Sequence, residues 1–247
     1  MALAYPFESA NNYSNTSSQY IDESFTVPSG TTLLVAVICI GRNANAYDPT
    51  PDAVIWDSGG TNQAMTARKV QLSNGNANRS YCVGIYTLKN PTAGTKTFRI
   101  DKPVTQNHYS SMTLYYVTGE GATYLGSTDG TNKNSVDANI YFSTTNSTAG
   151  SVIFGGVAAW TIETTPVELT QYSPTDNDHD WTFPADWSPS FGKAHIECAT
   201  IAARNFGYTS DLSARAAIGT LEILALASSE SISSIYMHYA RMNNKGF

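Results

Sequence analysis

The sequence predicts an all-β fold, a two-sheet antiparallel β-sandwich, from three observations. A phrase made of a Pro or Gly turn and a bounded apolar run recurs along the chain. Thr26-Val27-Pro28-Ser29-Gly30 leads into Leu33 to Ile40, Pro91-Thr92-Ala93-Gly94-Thr95 into Phe98-Arg99-Ile100, and Thr148-Ala149-Gly150 into Val152-Ile153-Phe154. Buried strands begin this way in all-β proteins. Strand-length segments also follow one another at regular spacing with turn residues between them and few convincing helices. Such an order gives a sandwich with jelly-roll or Greek-key connections. Finally, only 14% of the 247 residues are charged while 41% are apolar, so hydroxyls and amides solvate the surface and a core can still form.

Residues 8–19 are polar and Asn/Ser-rich and read as an extended lead-in. Strands are expected at 20–27, 32–40, 53–57, 64–72, 79–88, 95–101, 107–118, 136–143 and 151–160, then at 167–172, 194–203, 216–226 and 232–240. Tyr81, Val83 and Ile85 alternate onto one face, as do Phe98 and Ile100. The runs 33–40 and 152–159 are continuously apolar, the pattern of strands buried on both faces. Ala214 to Ala227 is rich in helix formers, but Gly219-Thr220 in its middle favours a strand. No linker divides the chain. The expected organisation is a lead-in at 1–19, one sandwich at 20–226 and a C-terminal strand and tail at 227–247.

The net charge is −6 and the 14 basic residues are scattered rather than clustered, so the basic stripe of a nucleic-acid binder is missing. No apolar run is long enough to span a bilayer, and Met1 to Phe7 lacks the basic and apolar regions of a secretory signal. Cys39, Cys82 and Cys198 sit in apolar or alternating segments and read as buried free thiols. The sequons at Asn15, Asn78 and Asn146 are what chance supplies in so Ser/Thr/Asn-rich a chain.

The irregular stretch from Ser173 to Gly192 holds the candidate binding chemistry. Asp176, Asp178 and Asp180 alternate as at the opening of a calcium loop, and calcium is the one cofactor considered. Trp181 and Trp187 stand where an EF-hand needs Gly and Glu, so a non-EF site or a solvated acidic loop are the alternatives. Tyr172, Trp181 and Trp187, with Phe183, form a candidate platform for a host-surface glycan; the competing reading closes the end of the sandwich with these rings. The four histidines, His108, His179, His195 and His238, show no metal-ligand spacing. The eight Glu and twelve Asp include no same-strand Glu-x-Asp-x-x-Glu pattern of the kind sandwich-fold glucanases use; Glu197 is the one Glu on a clear, central strand, with no acidic neighbour on its face, and no nucleophile elbow or phosphate loop is present.

Three phrases, Thr26 to Val37, Tyr86 to Thr95 and Ser143 to Ala158, with a closing strand at Gly219 to Ile223, resemble a jelly-roll β-sandwich family of bacteriophage virion proteins and bacterial secreted proteins. The resemblance spans roughly residues 20 to 226. Its motifs are structural and carry no active-site residues. It implies a non-enzymatic virion component, a capsid decoration (cement) protein or other surface-exposed part of the particle, made in the host cytoplasm. Its partner would be the major capsid protein and its assembly a homo-oligomer, with a trimer as first expectation. The segments 8–19 and 228–247 are the interface candidates, with Tyr5, Phe7, Tyr236, Tyr239 and Phe247 as their anchors. A carbohydrate-binding module or adhesin is the alternative, and a sandwich-fold glycosidase a more distant one.

Overall fold

The computed structural model describes residues 3–12, 19–42, 48–76, 79–102, 109–161, 169–172, 176–178 and 190–226. Among these there are only strands and their connections. In chain order they are β1 (Phe7–Asn12), β2 (Tyr20–Val27), β3 (Leu33–Arg42), β4 (Ala53–Trp56), β5 (Gln63–Ala64), β6 (Thr66–Asn76), β7 (Arg79–Lys89) and β8 (Gly94–Asp101). Then come β9 (Tyr109–Val117), β10 (Glu120–Thr145), β11 (Ser151–Thr161), β12 (Leu169–Tyr172), β13 (Asp176–Asp178), β14 (Ser190–Cys198) and β15 (Ala203–Ala225).

The strands make three antiparallel sheets, ordered β2-β8-β4-β5, β1-β9-β3-β7-β6 and β10-β15-β11-β14-β13, with β12 beside β15. The antiparallel sandwich is therefore present, with three stacked sheets in place of the two expected. The pairings do not establish a jelly-roll order.

Period-two alternation explains the stack. On β3, Leu34, Ala36, Ile38 and Ile40 enter one apolar cluster with Phe25, Trp56 and Phe98 of the first sheet. The alternate residues Leu33, Val35, Val37 and Cys39 enter another, with Val152 and Phe154 of β11 and Leu221 and Ile223 of β15. The middle sheet is thus buried on both faces, which is why its sequence reads as an unbroken apolar run. β11 is buried on both faces as well. Its Ile153 and Val157 face outward, against Phe206 and Ile140.

That outer cover comes from a fold-back of the longest hairpin. β10 and β15 pair from Glu120↔Ala225 to Thr145↔Ala203, with register shifts between Lys133 and Asn139. Bulges of this kind bend a ribbon. The distal half lays Phe206 and Tyr208 over the outer face of β11 and β14. A Cβ on Gly155 would come within 2.5 Å of the Phe206 ring, and one on Gly156 within 2.9 Å of Val37 Cγ1 on the other side. The paired glycines of the third phrase let two layers approach one strand from opposite sides.

The recurring turns share one device. Gly30, Gly94 and Gly150 have φ of 89°, 95° and 79°, each just before or at the start of the strand its phrase announces.

Several expectations are revised. β10 and β15 extend far beyond 136–143 and 216–226, and the strand expected at 194–203 runs from Ser190 to Cys198. The lead-in contains β1, paired with β9 from Phe7↔Tyr115 to Asn12↔Ser110, so the middle sheet includes residues upstream of position 20. The stretch expected to be a loop between 173 and 192 contains β13, which pairs with β14. The strand expected at 232–240 lies outside the described residues.

Candidate functional site

A pocket of about 1010 Å³ opens at one end of the sandwich, between the second and third sheets. Five chain segments build its walls: the N-terminal Leu3 and Tyr5, Gly121–Thr123 at the start of β10, the turn Thr148–Val152, and the strand ends Glu197–Ala199 and Leu224–Leu226. Its size suits a small ligand or a short peptide segment.

The turn wall is held by a buried acid. Glu222 on β15 has no solvent exposure. Its Oε1 accepts from Ser151 Oγ at 2.6 Å and Ser147 N at 2.9 Å. Its Oε2 accepts from Ser147 Oγ at 2.8 Å and Ser127 N at 2.9 Å. Asn146 completes the turn, giving Nδ2 to Thr148 O at 2.8 Å and accepting Ala202 N at 3.1 Å on Oδ1. Burial alone would raise the Glu222 pKa, but the donors from Ser151, Ser127 and Ser147 hold it below the ordinary carboxylate value. The charge is internally solvated, and its work is to shape the wall.

The carboxylate that lines the pocket is Glu197, exposed near the end of β14. The Tyr5 hydroxyl donates to its Oε1. The Tyr5 ring meets His195 edge-on at 4.8 Å and Phe154 at 5.8 Å, and Phe154 meets Tyr115 at 4.5 Å. Along β14 the row Phe191, Lys193, His195, Glu197 alternates onto the inner face, running from core to rim. Lys193 is fully buried and directs Nζ to Met112 O at 3.4 Å.

Glu197 and Glu222 lie on opposite faces of one sheet, since Phe191 and Ile223 face inward while Ile196 and Ile218 face outward. They cannot flank a single bond as the two carboxyls of a glycosidase do.

Two further polar groups act as clasps. Glu120 binds Lys89 Nζ and Thr32 Oγ1, each at 2.6 Å, and Lys89 lies 4.4 Å from the Tyr124 ring centroid, tying β7 to β10. Asp57 Oδ2 accepts from Thr61 N at 3.0 Å, Thr61 Oγ1 at 2.8 Å and Thr92 Oγ1 at 3.2 Å, joining the 57–62 turn to the Pro91 phrase. The cysteines are buried and free. Burial pushes the Cys39 thiol up to about 12, against a smaller opposing pull from Lys193, so it is no nucleophile.

The sequence-predicted site residues fare differently. Tyr5 and Phe7 pack against the chain's own inner core, Phe7 with its ring 5.5 Å from Tyr115. Asp176 and Asp178 stand opposite His195 and Lys193 in the β13–β14 register, and Tyr172 opposite Gly207. Asp180, Trp181, Trp187, Tyr236, Tyr239 and Phe247 lie outside the described residues, as do His108, His179 and His238. Among the described residues no group of three His, Cys, Asp or Glu is placed to hold a metal. Sequence reasoning passed over Glu222, Glu120 and Asp57. The signal for Glu222 was an acid inside the otherwise buried run Gly219–Ile223, a placement tolerated only with dedicated donors.

No protein-family model, curated protein or solved structure matches this chain.

Proposed function

We propose that the chain is a non-enzymatic structural component of a bacteriophage particle, a capsid decoration protein or another surface-exposed part of the virion. The observation that carries this reading is the use made of its buried polar groups. Glu222, Glu120 and Asp57 each spend their charge on chain segments of the protein itself, locking turns and sheet ends. Such a molecule invests in rigidity. A middle sheet packed on both faces and left-handed glycines at the recurring turns act to the same end. The phrases that resemble the jelly-roll family of virion and bacterial secreted proteins fall on these rigid parts, each recurring turn containing one of the left-handed glycines.

The test is peptide mass spectrometry on density-banded particles from the lysate of the phage or lysogen that encodes the chain. Recovery of the chain in many copies per particle is the expected result. Its restriction to the soluble fraction contradicts the reading.

A further inference from the structure

We infer that the end pocket is a binding site for a small organic cation, an amine whose hydrocarbon body lies on the apolar walls while its charged head meets Glu197. The geometry is that of a space kept open. Small residues line much of it, among them Gly121, Ala122, Ala149 and Ala199, and a Cβ on Gly150 would meet no atom within 4 Å. Apolar walls left to themselves close over such a gap, because removing their surface from water is favourable. Here two walls are fixed from behind, each by a polar clasp.

The first wall is an excursion of β10. That strand pairs with β15 at Glu120↔Ala225 and again at Leu125↔Ile223, so Gly121–Tyr124 stand against Leu224 alone. Strand irregularities of this kind re-aim a short stretch of chain and are frequent beside binding sites. Both ends of the excursion are anchored. Glu120 accepts from Lys89 Nζ and Thr32 Oγ1, and Tyr124 Oη accepts from Arg68 Nη2 at 3.0 Å. The opposite wall is the turn Thr148–Val152. Glu222 accepts from the Thr148 amide at 3.2 Å as well as from Ser147 and Ser151, and Gly150 N donates to Cys198 O at 2.6 Å. Both walls are therefore set before a ligand arrives, which favours its binding.

The class of ligand follows from what the walls present. Leu3, Val152, Leu224 and Leu226 are aliphatic, and Leu226 is 46% exposed, so a hydrocarbon body gains by covering them. Glu197 is the one charged side chain among the described residues of the lining, and it stands at the exposed rim. The net charge of −6 adds to the attraction for a cation and disfavours an anion. An ammonium group on Glu197 makes a charge-assisted hydrogen bond, stronger than the one an alcohol of the same length would make.

The experiment titrates the full-length chain with octylammonium, octanol and octanoate, below micelle-forming concentrations, and follows assigned amide resonances. Octylammonium should shift Gly121 and Gly150 with roughly tenfold higher affinity than octanol, and octanoate should bind most weakly. Glu197→Gln, which keeps an acceptor for the Tyr5 hydroxyl, should bring octylammonium down to the affinity of octanol and leave octanol unchanged. Ala122→Trp, which puts a ring into the space, should abolish binding of both. Equal affinities for the three probes overturn the proposal, as does an octylammonium affinity indifferent to Glu197→Gln. The absence of any shift at Gly121 and Gly150 overturns it as well. The contrast between the three probes uses the unaltered chain, so it decides the matter even where a variant fails to fold.

Discussion

On one face of the middle sheet, Trp56, Phe98, Phe25 and Ile100 close against β3, β7 and β9 in a layer of apolar contacts. On the other face the same strands meet β11, β14 and β15, but that layer also contains the buried Lys193 and His195 and opens at its end into the pocket. The closed layer is specified by alternation alone. The open layer spends polar groups and leaves space, and so it is where recognition can be placed without disturbing the first. The difference teaches a division of labour: one face of the middle sheet secures the fold while the other presents a site.

The largest effect that would sharpen this comparison is in the closed layer. Trp56 is fully buried and donates Nε1–H to Thr92 O at 2.9 Å. Trp56→Ala should cost about 3–5 kcal/mol, read from urea unfolding. A loss under about 1 kcal/mol would mean that the layer is not closed.

Next is the clasp under the pocket wall. Glu222→Gln removes the charge that six donor groups share, the Thr148 amide among them, and should cost about 2–3 kcal/mol, with faster amide exchange at Ser147 and Thr148. The same acid sets the pH response. Glu222, and Glu120 held by Lys89 and Thr32 against the opposing effect of burial, have folded pKa values below the ordinary one. Their stabilisation is complete above about pH 5 and drains away as pH falls through the folded values. Burial raises Asp101 despite the opposing pull of Arg99, so its contribution runs the other way, favouring the fold at lower pH. Stability should therefore fall on acidification in the parent and fall less steeply in Glu222→Gln. Parallel curves would show that Glu222 is not the titrating clasp.

Gly156→Ala probes how tightly the two layers sit on β11. Its Cβ would meet Val37 Cγ1 at 2.9 Å and Cys39 Sγ at 3.0 Å, so overpacking should cost about 1–3 kcal/mol. A neutral result would show that the second layer yields where the first does not. The smallest effect is expected at the rim. Tyr5→Phe loses the hydrogen bond to Glu197 but keeps the ring on His195 and Phe154, and thermal unfolding should show a loss of no more than about 1 kcal/mol.

How far the sequence foretold this molecule follows the same division. Continuous apolar runs at 33–40 and 152–159 announced strands buried on both faces, and β3 and β11 are such strands. What escaped was the polar half of the long hairpin. Gly126, Gly130, Asp129 and Asn132 read as turn residues, yet they belong to β10. Its pairing with β15 is interrupted by bulges that no periodicity records. The third sheet was therefore not anticipated. The pocket was invisible too, because Tyr5, Ser151, Glu197 and Leu226 are distant in sequence and meet only through strand register. Tyr5 was singled out as an interface anchor, whereas its ring and hydroxyl are engaged within the chain.

The most direct measurement of the central claim is cryo-electron microscopy of the banded particles. Density for a three-sheet sandwich repeated symmetrically on the outer surface of the virion is the expected result. Particles whose resolved surface leaves no place for that sandwich would contradict it.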